Sequence, residues 1–201
     1  SHDYQLESFV MTDTNVSNGS ASFITSVNTM GMPLGKGFTL SNCDFTNWKS
    51  DVFNCLSFIS NIDVSGCLFE HSDIANEDSA FYAKYSSQNI DINISDTEIK
   101  NFNTGIYARY SATSYVLDNV DMNNVHCGVF TQQSSGNKSD IVKNSNFVGD
   151  NKPDSIGISV TQGASSIDAD TDVFGGAYTE NSTFSNFDIG IHTTGASFSE
   201  K

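Results

Sequence analysis

The chain has 201 residues, 37% hydrophobic and only 16% charged, with Ser, Thr, Asn and Gly dominating the polar remainder. This length suffices for one domain with a real core, and the composition belongs to turn-rich β structure rather than long helices. A formal net charge of −15 excludes a phosphate-tracking nucleic-acid partner and an anionic membrane surface, and no apolar run approaches the roughly 18 residues of a membrane span.

The chain opens with Ser1 and His2, which read as an expression remnant, and no basic start followed by an apolar stretch marks a signal peptide. Residues 1–35, with SFVMTDT and ASFITSV, are expected to supply one less regular turn. Residues 36–201 carry a repeat and complete a single domain, or a section of a longer elongated protein.

The repeat shows in six segments. They read FTLSNCDFTNW from Phe38, IDVSGCLFEHS from Ile62, INISDTEIKNF from Ile92, YVLDNVDMNNV from Tyr115, DIVKNSNFVGD from Asp140 and AYTENSTFSNF from Ala177. A bulky column runs through Phe45, Phe69, Ile99, Met122, Phe147 and Phe184. Two residues later stand Asn47, His71, Asn101, Asn124, Gly149 and Asn186, an expected asparagine ladder, because Asn tolerates left-handed backbone and can bond to its equivalent one turn away. A further strand follows as AFYAKYS from Ala80, GIYARYS from Gly105, CGVFTQQS from Cys127, IGISVTQ from Ile156 and IGIHTTG from Ile189.

Three short alternating runs per repeat predict an all-β chain, a right-handed single-stranded parallel β-helix of about six to seven turns. Leucine-rich repeats are excluded, since their spaced Leu positions and helical stretches are missing.

Alternation then assigns faces. In the last strand of each repeat Val52, Phe81, Ile106, Val129, Ile158 and Ile191 are expected inside, and Phe53, Tyr82, Tyr107, Phe130, Ser159 and His192 outside. The next outward column is Cys55, Lys84, Arg109, Gln132, Thr161 and Thr194. Phe53, Tyr82, Tyr107 and Phe130, flanked by Lys84, Arg109 and Gln132, form a candidate substrate-binding strip: aromatic rings pack on sugars, and the flanking side chains donate to hydroxyls or carboxylates. A subunit interface is the alternative use of the same strip.

The middle strand presents Asp44, Leu68, Glu98, Asp121, Asn146 and Thr183 outward. Glu98 and Asp121, one turn apart at about 4.8 Å, approach a retaining glycosidase pair; Asp44 and Glu98, two turns apart, approach inverting geometry. A solvated acidic face is the alternative. Cys43 and Cys67 share a column and read as buried free thiols, with a disulfide between turns as the other option. His71 reads as a turn cap in the ladder, His126 sits at a turn, and His192 ends the aromatic column. Asp168, Asp170 and Asp172 alternate in the longest insertion but lack an EF-hand's Gly and terminal Glu, so a flexible acidic loop is expected there. No Cys-x-x-Cys or other ligand spacing occurs, and neither metal nor cofactor is expected.

Through its repeat, nearly the whole chain resembles the pectin-lyase-like superfamily of parallel β-helices, and within it the β-helical section of bacteriophage tailspikes. The polygalacturonase strings Asn-Thr-Asp, Gly-His-Gly and Arg-Ile-Lys are absent. The resemblance implies a homotrimeric virion or extracellular protein, folded in the bacterial cytoplasm, that recognises and depolymerises capsule or O-antigen. A non-catalytic glycan- or receptor-binding module and a polysaccharide lyase, using Arg109 or Lys84 with Tyr107, remain alternatives.

Overall fold

A computed structural model describes residues 9–27, 37–56, 61–73, 77–84, 90–110, 113–132, 140–161, 177–194 and 198–200. Among the described residues every regular element is a β-strand. The first coil contains β1 (Phe9–Thr12), β2 (Asn15–Ser17) and β3 (Ile24–Val27), and the second β4 (Phe38–Ser41), β5 (Asp44–Trp48) and β6 (Phe53–Leu56). The third has β7 (Ile62–Ser65), β8 (Leu68–His71) and β9 (Ser79–Lys84). Two long strands follow, β10 (Ile90–Lys100) before β11 (Thr104–Arg109) and β12 (Thr113–Val125) before β13 (Cys127–Gln132). The remaining coils contain β14 (Asp140–Lys143), β15 (Asn146–Gly149) and β16 (Ile156–Thr161), then β17 (Ala177–Glu180), β18 (Thr183–Ser185) and β19 (Ile189–Thr194), and finally β20 (Phe198–Glu200).

All pairings are parallel, from each coil to the next, so the chain is a parallel β-solenoid with three faces. The first face stacks β1, β4, β7, the first half of β10, the first half of β12, β14, β17 and β20. The second stacks β2, β5, β8, the second halves of β10 and β12, β15 and β18. The third is a separate 7-stranded sheet of β3, β6, β9, β11, β13, β16 and β19. The closed core spans about 5 turns, fewer than the repeat implied, because side chains of the outermost coils are only partly covered.

The corners follow from residues that tolerate positive φ. Asp13, Asn42, Gly66, Asp96, Asn119, Asn144 and Asn181 turn the chain from first to second face, and Asn18, Asn47, Asn101, Asn124 and Asn186 turn it out of the second. Even the continuous strands β10 and β12 bend this way, at Asp96 (φ 48°) and Asn119 (φ 57°). The asparagine ladder is real but lies at the corners and in pairs. Asn124 Nδ2 donates to Asn101 Oδ1 at 2.9 Å, and Asn47 Nδ2 donates to Asn18 Oδ1. His71 and Gly149 interrupt it. A second set, unforeseen in the sequence, joins Asn42 to Asp13 and Asn119 to Asp96 at the first corner.

Inside, equivalent side chains stack. Phe45 and Phe69 lie 5.2 Å apart, and Phe53 and Phe81 lie 4.9 Å apart. At several coils the residue after the first corner is small and buried, and its side chain caps a backbone amide of the preceding coil: Cys67 Sγ accepts from Cys43 N (3.4 Å), Thr97 Oγ1 from Cys67 N (3.2 Å) and Ser145 Oγ from Val120 N (3.0 Å). Cys43 and Cys67 are free, buried thiols.

The placement of Phe53 corrects the sequence expectation. Phe53 is 0% exposed and pairs with Phe81, so it belongs to the inward column, and Asn54 is the residue level with Tyr82. The corner of the second coil, Asn47 to Phe53, is one residue longer than Asn101 to Ile106 or Asn124 to Val129, and one extra residue reverses the side chains of the strand that follows, β6. Cys55 shifts likewise, to the level of Ala83. The segment with Asp168, Asp170 and Asp172 lies outside the described residues.

Candidate functional site

The third face carries the most organised outward surface. Strands β9, β11 and β13 pair in register, with Tyr107 level with both Tyr82 and Phe130. Successive strands lie about 4.8 Å apart, which is the thickness of a stacked ring pair. Tyr82 and Tyr107 accordingly stack at 4.9 Å with planes 7° apart, and Tyr107 and Phe130 at 5.0 Å with planes 12° apart. The strip therefore has three rings, running from Asn54 at one end to Ser159 at the other. Both faces of Tyr107 are covered by its neighbours. The ladder meets solvent with ring edges and the two phenol hydroxyls.

Beside it, Lys84, Arg109 and Gln132 are level with one another. Arg109 is fixed by the aromatics: Nη2 donates to Tyr110 Oη at 3.1 Å, and the guanidinium lies 4.7 Å above the Tyr110 ring. Hydrogen bonds to the Tyr107 and then the Tyr110 hydroxyl raise its pKa. Level with the ladder stand Asn54, Ser159, which is buried, and His192, and level with Arg109 stand Lys84, Gln132, Thr161 and Thr194, without one carboxylate among them. Lys84 and Arg109 thus place two cations on adjacent coils of this face. The lysines described on the other two faces are neutralised, Lys100 by Glu98 at 2.8 Å and Lys143 by Asp118 at 2.9 Å.

The carboxylates expected to do chemistry occupy the second face. Glu98 is level with Asp121, and Asp44 is joined to Glu98 through Leu68, as the repeat implied. Both Glu98 oxygens are engaged, Oε2 by Lys100 and Oε1 by Asn123 Nδ2 at 3.0 Å. Glu98, Asp121 and Asp44 thus project from a different face than Tyr82, Tyr107, Phe130, Lys84, Arg109 and Gln132. The structure does not bring the two sets into one groove.

Two acid–histidine clusters sit where the second face turns into the third. His71 is buried, with Nε2 3.1 Å from Asp78 Oδ2 and Nδ1 accepting from Asp73 N at 3.0 Å or donating to Asp73 O at 2.8 Å, according to its tautomer. It caps a turn, as its ladder position implied. Nearby, Asp51 Oδ1 accepts from Ser79 N at 2.7 Å and Oδ2 from Asn54 Nδ2 at 3.0 Å. Burial, reinforced by the charge of Asp78, raises the Asp51 pKa against these hydrogen bonds. Asn54 Oδ1 is buried and has no hydrogen-bond partner.

In the second cluster His126 Nδ1 lies 3.2 Å from Asp150 Oδ2, and Lys152 Nζ lies 3.0 Å from the same oxygen. Burial alone would raise the Asp150 pKa, but hydrogen bonds from Lys152 and His126 outweigh it and lower the value. Alternation could not reveal either cluster, because corner residues follow no two-residue period: His71 meets Asp78 within one corner, and His126 meets Asp150 one coil on. His192 is exposed and within 3.4 Å of Thr194 Oγ1. A 300 Å³ groove on the first face is lined by Thr39, Asp63, Ser65, Asn93 and Asp118, among others. Among the described residues no grouping of His, Cys, Asp and Glu could hold a metal ion.

Comparison with protein-family models, with curated proteins and with solved structures finds no match for this chain.

Proposed function

We propose that this β-solenoid recognises an extended bacterial surface polysaccharide, capsule or O-antigen, in the manner of a phage tailspike at the virion surface, and that its third face is the binding face. One observation carries the reading: the ladder of Tyr82, Tyr107 and Phe130 runs parallel to Lys84, Arg109 and Gln132 on a face whose outward columns contain no carboxylate. Ring edges and phenol hydroxyls suit a polyol, and the neighbouring column supplies donors at each coil. Repetition at strand spacing matches a ligand that is itself a linear repeat.

Recognition is the core of the proposal, because Glu98, Asp121 and Asp44 lie on another face. Depolymerisation by hydrolysis is the second reading. It is supported by the level placement of Glu98 and Asp121. A homotrimer would use the ladder as its seam instead.

Affinity electrophoresis in gels containing capsule or O-antigen tests the proposal. The chain is expected to be retarded, and Tyr107→Ala and Arg109→Ala each to weaken binding about tenfold, the loss of one charge-assisted contact. Unretarded migration in every such gel would remove the proposal. Light scattering on the same variants separates the interface reading, under which Tyr107→Ala dissociates an oligomer. New reducing ends that vanish in Glu98→Gln or Asp121→Asn would establish hydrolysis.

A further inference from the structure

The corner between β5 and β6 holds a carboxylate that meets an amide of β6 through one hydrogen bond. Asp51 Oδ1 accepts from Ser79 N, at the start of β9, at 2.7 Å, and Asp51 Oδ2 accepts from Asn54 Nδ2 at 3.0 Å. The far end of that amide, Asn54 Oδ1, is buried and has no hydrogen-bond partner. The orientation of the Asn54 side chain is thus decided by Asp51 alone, because a carboxylate can only accept and the amide nitrogen is the only donor the side chain has.

Protonation of Asp51 inverts that requirement. The proton is kept off Oδ1, where Ser79 N already points a hydrogen, so it belongs on Oδ2, the oxygen facing Asn54. There the carboxyl O–H and the Asn54 N–H would confront each other as two donors. A half-turn of the amide puts Oδ1 in the place of Nδ2, and the O–H then donates to it. No bond on the far side opposes the turn, since Oδ1 has none to lose, and one end of the amide is unpaired in either orientation.

The charges around Asp51 make the proton accessible. Burial and then the charge of Asp78, from the segment leading into β9, raise its pKa; the hydrogen bonds from Ser79 and Asn54, and His71 at the end of β8, act against them. Among the described residues no Lys or Arg is paired with Asp51.

We propose that Asp51 and Asn54 form a proton-operated switch in which uptake of one proton at Asp51 Oδ2 reverses the Asn54 amide. Asn54 is level with Tyr82, so the group that turns stands at the end of the aromatic ladder. The switch is independent of what that face binds.

Side-chain NMR of the full, isotope-labelled chain, titrated from pH 7 to pH 3, tests it. As Asp51 Cγ titrates, the Asn54 Hδ2 resonances are expected to move upfield on losing the carboxylate and Asn54 Cγ downfield on gaining a donor, all with one midpoint. In Asp51→Asn the introduced amide offers an N–H to Asn54 and keeps an oxygen for Ser79 N. Asn54 in that variant should therefore show shifts displaced towards the parent's low-pH positions already at pH 7, and should not titrate. Asn54 shifts that stay constant through the Asp51 transition would overturn the proposal, as would Asn54 shifts in Asp51→Asn that match the parent at pH 7. The titration decides alone should Asp51→Asn fail to fold, and the variant at pH 7 decides alone should the parent unfold in acid.

Discussion

The ring of Phe53 stacks on that of Phe81 inside the solenoid, with centroids 4.9 Å apart and planes 9° from parallel. Fully buried in the second coil, Phe53 supports the core from beneath the ladder instead of lengthening it. Phe53→Ala is therefore expected to destabilise the chain by about 3–5 kcal/mol, as for a buried aromatic cut to Ala. Tyr82→Ala, which removes an end ring from the outward stack, is expected to cost about 1 kcal/mol. Urea denaturation with circular dichroism measures both, and a larger loss for Tyr82→Ala would put Phe53 back on the surface.

Asn124 combines a left-handed backbone (φ 57°) with a 2.9 Å hydrogen bond to Asn101. Asn124→Ala loses the bond and places Cβ in an unfavourable conformation, for a combined loss of about 2 kcal/mol. Asn124→Gly restores the conformation without the bond and should recover roughly half of that. Equal losses for both variants in chemical denaturation would show that conformation plays no part at this corner.

Burial raises the pKa of the Cys67 thiol to about 11. At pH 8 only about one such thiol in a thousand is ionised, and the thiolate is the reactive form. Cys67 should resist a disulfide reagent in the native protein and react at the rate of unfolding. Peptide mapping after timed labelling checks this, and rapid labelling of Cys67 in the folded chain would contradict its place in the core.

Asp51 has a folded-state pKa above its unfolded value, so the native state binds its proton more tightly. That contribution to stability is fully present below the unfolded pKa near 4 and is lost as pH rises through the folded value. Asp51→Asn cannot titrate. The stability of the variant relative to the parent should therefore improve between pH 3 and pH 7, as measured by urea unfolding at each pH. An unchanged difference across that range would place Asp51 in a solvated setting.

The sequence made the solenoid legible because a two-residue alternation and a left-handed Asn recur once per coil, and both are visible without coordinates. The outward positions of Tyr82, Tyr107, Phe130, Lys84, Arg109 and Gln132 followed from the same register. Phe53 did not, because the Lys49–Ser50–Asp51 stretch gives its corner one more residue and nothing in composition marks where an unpaired residue sits. The mutual covering of the ring faces was equally hidden, since it depends on ring rotation and not on position. The pairing of His71 with Asp78 within one corner and of His126 with Asp150 across successive coils lies in irregular segments, beyond the reach of periodicity.

The three corners of each coil differ in how much length they accept. Between first and second face the chain uses two residues or continues unbroken, whereas between the third face and the next coil it uses from three residues, 195–197, to fifteen, 162–176. The corner between second and third face varies less, from the single residue 126 to the seven residues 72–78, so the largest growth in length falls at the edge between one coil and the next, where added residues leave the register of every later strand intact. Peptide insertions after Gln132 or Thr161 should be carried by the folded chain as cargo, while deleting Asn119 would reverse the alternation of the strand that follows it in that coil. The same edge is where this architecture can acquire new surface without redesigning its core.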